Sequence, residues 1–278
     1  MKHLGIFIIL FFIGFSADLR AQSCCPDPNE KFADLGTYTS FRSEHELPVD
    51  RHFQSNYGRM IQFDCSDGIM ANAYLVPARE RSDKWLIVVH EWWGLNDNIK
   101  AEAEKLFADL KNVNVLAIDM YDGNVANNQE EASQYMQGLS SERAYIIING
   151  MLNFIGSDAK LCTIGWCFGG GWSLQTAIEA GSKTIGCVMY YGMPDENVSR
   201  LEKLNSDVLG IFASQDQWIN AKVVSDFEVN MKKANKSLKV YSYDADHAFA
   251  NPSSPRYVEE AAQEAYVVTM DYLKSKYK

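Results

Sequence analysis

From residue 84 to residue 276, short apolar runs rich in β-branched residues alternate with stretches of helical periodicity. This alternation leaves the chain little architectural choice. The runs at 84–90 (KWLIVVH), 113–120, 160–166, 184–191, 208–213 and 238–243 read as strands, and most lack the polar alternation of a half-exposed sheet, as strands covered on both faces do. The intervening segments 98–111, 128–154, 168–180, 221–234 and 255–276 read as helices, with 128–154 holding one long helix or two. In the first, Ile99, Ala103, Leu106, Phe107 and Leu110 share one face. Strand and helix in strict alternation imply an α/β fold: a mostly parallel, twisted sheet with right-handed crossovers and helices on both faces. Upstream, the strand-like 59–65 and 70–76 flank Asp67-Gly68, a dipeptide that favours a tight turn. An antiparallel hairpin is expected there, at the N-terminal side of the sheet.

The 278 residues are 47% apolar and 22% charged, an ordinary globular composition that excludes disorder, collagen and coiled coil. No internal repeat or linker divides the segment, so residues 57–278 read as a single domain. Formal net charge is −10 with no Lys/Arg run, so neither nucleic acid nor an anionic membrane surface is an expected partner. A small molecule is.

The N-terminus reads as a targeting segment. Lys2 precedes an apolar stretch at 4–15, followed by small residues up to Ala21. This is the pattern of a secretory signal peptide over residues 1–21, cut after Ala21, and is too short to span a bilayer. Export to the periplasm or medium is expected, with lipid anchoring at Cys24 as a second possibility. Residues 22–56 are polar and weakly periodic and read as an irregular arm laid over the domain. Of six cysteines, Cys162 and Cys187 fall in strand runs and read as buried apolar side chains. No C-x-x-C and no cysteine–histidine cluster is visible along the chain, so no zinc site and no cofactor are expected.

Cys167 differs. The strand at 160–166 runs into Gly165-Trp166-Cys167-Phe168-Gly169, and a helix follows. This is the nucleophile-elbow pattern G-x-C-x-G, with cysteine at its centre. A sharp strand-to-helix turn presents the thiol at a helix N-terminus, where backbone N–H groups favour a thiolate. Reactive groups in such sheets gather beyond the carboxyl ends of the strands. The strand at 208–213 is followed by Asp216, and the strand at 238–243 by His247. The order nucleophile, acid, histidine is that of the α/β-hydrolases. Glu91, between a buried strand and Trp92-Trp93, is expected to lie near the elbow and to control the thiol's proton. His90 reads as a structural hydrogen-bonding residue.

Taken together, H-E-W-W-G-L-N (90–96), G-W-C-F-G-G (165–170), Y-Y-G (190–192), S-Q-D (214–216) and D-H-A-F (246–249) resemble the dienelactone hydrolases, or carboxymethylenebutenolidases, over roughly residues 57–276. The resemblance implies an α/β-hydrolase fold and a metal-free Cys167–Asp216–His247 triad. It also implies that Glu91 holds the resting thiol and that the backbone N–H groups of Trp92 and Phe168 form an oxyanion hole. The expected activity is hydrolysis of an activated ester or lactone. The alternatives are a thiol-based acyl-transfer or redox enzyme on the same fold, or an inactive binding domain. Family members that act on dienelactone hold its carboxylate with arginines. Here Asn251 stands four residues after His247, and Gln129-Glu130-Glu131 occupies the other place with no arginine before Arg143. That argues against dienelactone itself as the substrate.

Overall fold

The computed structural model describes residues 28–49 and 53–278; the expected signal segment and Cys24 lie outside the described residues. In chain order the elements are α1 (Pro28–Leu35), α2 (Thr39–Glu44), β1 (Arg59–Phe63), β2 (Ala71–Val76), β3 (Lys84–Val89), α3 (Asp97–Leu110), β4 (Asn114–Ile118), α4 (Gln129–Gly138), α5 (Ser141–Ile155), β5 (Lys160–Trp166), α6 (Phe168–Ala180), β6 (Thr184–Tyr190), α7 (Val198–Leu201), β7 (Val208–Ala213), α8 (Ala221–Lys233), β8 (Leu238–Tyr243) and α9 (Glu259–Lys276). Among the described residues one eight-stranded sheet runs β1-β2-β4-β3-β5-β6-β7-β8. The β1–β2 and β2–β4 pairs are antiparallel, and every pair from β4 to β8 is parallel. The expected α/β sheet with its N-terminal antiparallel hairpin is therefore present.

Strand burial follows the reading of the apolar runs. Every residue of β7 is buried, and so is every residue of β5 after Lys160, whereas β8 at the sheet edge is half-buried. The 128–154 segment is two helices rather than one. Gly138 closes α4, and Ser140 restarts the chain by accepting the Arg143 N–H; a serine there satisfies an otherwise orphaned amide. Asn96, Asn128 and Asn220 cap α3, α4 and α8 in the same way. Among the described residues no helix is long and apolar enough to cross a membrane.

The arm departs from expectation. Its described part carries α1 and α2 rather than irregular chain. Helices of eight and six residues are too short to announce themselves by periodicity, and they persist through tertiary packing. Phe32 and Phe41 are the anchors, both buried, with their rings edge to face at 5.7 Å. Polar contacts fasten the arm as well. Ser133 Oγ donates to Gly36 O at 2.7 Å, Gln129 Nε2 to His45 O at 3.0 Å, and Trp218 Nε1 to Glu44 Oε2 at 2.9 Å. The Val49 N–H donates to Ser253 O at 2.9 Å. The arm thus crosses the end of the sheet where β3, β5 and β7 finish.

Candidate active site

The turn after β5 is built by backbone contact. Cys167 has φ 56° and ψ −123°, a conformation that costs a side-chain-bearing residue of order 1–3 kcal/mol and persists only where neighbours enforce it. Here Cys167 N donates to Tyr190 O at 3.0 Å, and Gly170 N to Cys167 O at 2.9 Å. The flanking glycines are forced by space. A Cβ on Gly165 would sit 2.0 Å from Gly169 O, and one on Gly169 would sit 2.3 Å from Val89 O and 2.4 Å from His90 O. The G-x-C-x-G spacing therefore lets β5, the start of α6 and the end of β3 press together. The thiol is left at the N-terminus of α6 beside Glu91 and Trp92. Burial pushes the Cys167 thiol above its ordinary pKa; His247 nearby and the Phe168 N–H pull the other way.

Asp216 and His247 arrive from the ends of β7 and β8. The Asp216 Oδ1 accepts the N–H groups of Trp218 and Ile219 at 2.8 and 2.9 Å, which fixes the carboxylate. Its Oδ2 lies 2.6 Å from His247 Nδ1, so the imidazole donates through Nδ1. Burial opposes ionisation of Asp216, but the imidazole and the two amides outweigh it and hold the carboxyl below its usual range. Burial likewise opposes charge on His247, and Asp216 together with the Cys167 sulfur overrides it, raising His247 well above an ordinary histidine. His247 Nε2 is buried and faces the Cys167 sulfur, beyond ordinary hydrogen-bond distance.

A second imidazole stands at the sulfur. His45, from the end of α2, is buried, and its Nε2 lies 3.8 Å from Cys167 Sγ. Its Nδ1 is 2.7 Å from Phe41 O, a carbonyl that only accepts, so the proton sits on Nδ1 and the Nε2 lone pair faces the thiol. The ring packs 4.1 Å from Phe41, 4.8 Å from Trp92 and 4.9 Å from His247. Burial, with His247 adding repulsion, depresses its pKa to about 3, so it is neutral. The ligand atoms of His45, Cys167 and His247 lie within 4.8 Å of one another. A cysteine–histidine cluster, absent from the linear sequence, is thus assembled by the fold. His45 was missed because it belongs to a weakly patterned segment 122 residues from Cys167. Its only local signals were the apolar Phe32 and Phe41 before it.

Glu91 is buried behind the thiol. Its Oε2 accepts from Asn251 Nδ2 at 2.6 Å, and burial, partly offset by His247 and that hydrogen bond, lifts the carboxyl to about 7. His90 is structural, as expected: its Nε2 accepts the Met120 N–H at 3.0 Å and its Nδ1 bonds to Glu91 O. Trp92 lines the same crevice as Cys167, and Phe168 opens α6. Arg143 is held elsewhere, on Asp67 and Asp122. The crevice bounded by His45, Glu91, Trp92 and Cys167 has a volume of only about 20 Å³. Glu91 and Asn251 also wall a larger cavity of about 630 Å³ between α3 and α9.

The comparisons with known proteins agree with this architecture. A relative from Aquifex pyrophilus, named protein usf, is 27% identical over 234 residues, 78% of this chain and 98% of its own. Carboxymethylenebutenolidase 1 of Cupriavidus pinatubonensis is 21% identical over 227 residues, 77% of this chain and 95% of its own. The crystal structure of a dienelactone hydrolase-like promiscuous phosphotriesterase from metagenomic libraries superposes with a TM-score of 0.68 at 20% identity, over 79% of this chain and 99% of that one. That likeness shows the fold, the α/β-hydrolase fold. The family model of the dienelactone hydrolases matches residues 71–277, and with most of the described chain so covered, the protein belongs to the dienelactone hydrolase family.

Proposed function

We propose that this protein hydrolyses an uncharged activated ester or lactone by covalent catalysis at Cys167, with His247 as the proton carrier and Asp216 as its orienting group. The observation that carries the reading is the strained turn at Cys167 facing an imidazole whose other nitrogen is fixed by a buried carboxylate. In this mechanism His247 rests charged, Glu91 takes the thiol proton and the sulfur attacks the acyl carbon. The backbone N–H groups of Phe168 and Trp92 receive the developing oxyanion, and such donors are worth roughly 3–4 kcal/mol each where one has been removed. His247 then gives its proton to the departing alcohol and afterwards activates the water that cleaves the thioester. Asp216 keeps the imidazole in the Nδ1–H tautomer and stabilises its charged form.

Because burial raises the Cys167 thiol, the sulfur rests protonated and needs a base at the moment of attack. Glu91, lifted to about 7, is poised beside it to exchange a proton near neutrality. A neutral substrate is favoured because Arg143 is committed to two aspartates and Asn251 to Glu91. A crevice of about 20 Å³ holds one water and no ester, so the arm carrying His45 must lift for substrate to enter. The test is turnover of p-nitrophenyl acetate by the wild type and by Cys167→Ala. Turnover should vanish in the variant, and retained turnover would exclude Cys167 as the nucleophile.

A further inference from the structure

The cluster at the nucleophile has a property the hydrolytic reading does not use. His45 and His247 each give their Nδ1–H to a fixed acceptor, Phe41 O at 2.7 Å and Asp216 Oδ2 at 2.6 Å. Metal-ligating histidines are oriented in this way, by a carbonyl or carboxylate on the far nitrogen. Both Nε2 atoms are thereby turned towards the sulfur, that of His45 as a lone pair and that of His247 as a lone pair once its proton leaves. The third group is a buried thiol, with Sγ 3.8 Å from His45 Nε2 and all three ligand atoms within 4.8 Å of one another. Around a tetrahedral zinc ion, bonds of about 2.0 Å to nitrogen and about 2.3 Å to sulfur place nitrogen and sulfur about 3.5 Å apart. The His45–Cys167 separation already sits near that value, and the widest pair, at up to 4.8 Å, needs to close by about 1.3–1.5 Å. Beside the cluster, the crevice of about 20 Å³ has room for one water as a fourth ligand.

We propose that His45, Cys167 and His247 form a binding site for a thiophilic divalent cation of the zinc class, completed by the arm, and that occupation of this site stops turnover. The bonding step is simple. The Cys167 S–H bond and the His247 Nε2–H bond break, both protons leave to solvent, a sulfur–metal bond forms, and the lone pairs of His45 Nε2 and His247 Nε2 complete three ligands; nothing is oxidised or reduced. A sulfur bound in this way is no longer a nucleophile, and a bound His247 can no longer carry a proton. One nitrogen comes from the arm and two ligands from the domain, so the cation also ties the arm down over the crevice. Thiolate and imidazole ligands select zinc-class ions and give no purchase to magnesium or calcium, which require oxygen.

The full chain, stripped of metal with a chelator, is titrated with cadmium, whose bond to a thiolate gives an ultraviolet charge-transfer absorption. The expected result is a saturable band in the wild type that is reduced by one cadmium equivalent in Cys167→Ser, which separates the site from the other cysteines. In His45→Gln half-saturation should move to at least about tenfold higher cadmium. Zinc should displace cadmium, and magnesium should not. A second readout is amide hydrogen exchange over residues 39–49, which zinc should slow in the wild type and leave unchanged in His45→Gln. Esterase rates on the same samples should fall with zinc and return with chelator, each variant being compared with its own metal-free rate. An identical cadmium titration in wild type and Cys167→Ser would overturn the proposal, as would equal affinity in wild type and His45→Gln. The absorption and exchange readouts need no turnover, so a protein that hydrolyses no ester still tests the site. An active esterase with no Cys167-dependent band would sink the site and leave the hydrolytic reading standing.

Discussion

Phe41 is expected to set how often the Cys167 thiol is reachable, and Phe41→Ala measures this. The ring is buried and meets four others, two on its own arm and two on the domain. Within the arm are Phe32 at 5.7 Å and His45 at 4.1 Å, and across the interface lie Trp92 at 5.6 Å and Trp218 at 5.5 Å. Truncating a buried phenylalanine costs about 3–5 kcal/mol. Only the domain-facing half of that loss acts on the docked state relative to the lifted one, about 1.5–2.5 kcal/mol by this apportioning. At 1.4 kcal/mol per factor of ten, the population of the lifted arm rises roughly 10- to 60-fold. The assay is the rate of Cys167 alkylation by iodoacetamide in metal-free buffer, read residue by residue by mass spectrometry. That rate is proportional to the lifted population when opening and closing are fast. Cys65, half-buried in the loop joining β1 to β2, serves as the reference and should label equally in both proteins. Cys162 and Cys187, buried in the sheet, report global unfolding and should stay unlabelled in both. A Cys167 rate that does not change in Phe41→Ala, with the references unchanged, would refute the view that the arm gates the thiol.

Three further outcomes are expected. His45 is neutral in the docked arm with a pKa depressed from 6.5 to about 3, so the docked state binds fewer protons than the lifted one between those values. Docking is therefore fully supported above pH 6.5 and weakens as pH falls. At pH 5 the loss is about 2 kcal/mol, a roughly 30-fold rise in hydrogen exchange over residues 39–49 relative to pH 7 after correction for intrinsic rates; His45→Gln should lack this increment. Glu91 moves the other way. With its carboxyl raised from 4.5 to about 7, its desolvation destabilises the fold progressively as pH rises through that window and to a constant extent above it, on the order of 3 kcal/mol. Glu91→Gln, which keeps the amide-compatible shape, should melt higher than wild type at pH 8 and equally at pH 4.5; coincident melting curves at both would remove the basis for a raised carboxyl. Asp216→Asn should lower kcat for p-nitrophenyl acetate by two to four orders of magnitude, because the amide favours the wrong imidazole tautomer; a change below tenfold would show that Asp216 does not orient His247.

Which parts of this molecule could be read from the sequence follows from where the physical constraint is written. The parallel strands are legible because both faces are covered, so each is a continuous apolar run that no polar alternation disguises. β8 is the exception that explains the rule: at the sheet edge its burial is partial, and its LKVYSY carries a weaker signal. The elbow is legible because its constraint is local. Gly165 and Gly169 stand within two residues of Cys167 and exclude a Cβ by backbone approach, so the demand appears as a spacing. Asp216 and His247 are legible because β7 and β8 run parallel to β5 and so end on the same side of the sheet as that elbow, from which their loops reach back to it.

His45 has no such trace, and the reason bears on how the site works. Its position depends on Phe41 packing across to Trp92 and Trp218, contacts spanning 51 to 177 residues of chain, and on a single carbonyl that fixes its tautomer. A six-residue helix carries no period long enough to detect, and one histidine in a polar stretch looks like any solvated side chain. The same sparseness makes the arm separable from the domain. The sheet core beneath the elbow is held by backbone ladders on both sides of β5, whereas the arm is held by a few aromatic rings and isolated hydrogen bonds. Cooperative units of low stability are those with few buried contacts of their own. An element fastened in this way can lift while the Cys167 turn stays strained and intact, because the forces that enforce the turn come from β3, β6 and α6 and owe nothing to the arm. The Cys167 turn is therefore built by the part of the chain whose constraints are local, and the cover over it by a part whose constraints are wholly tertiary.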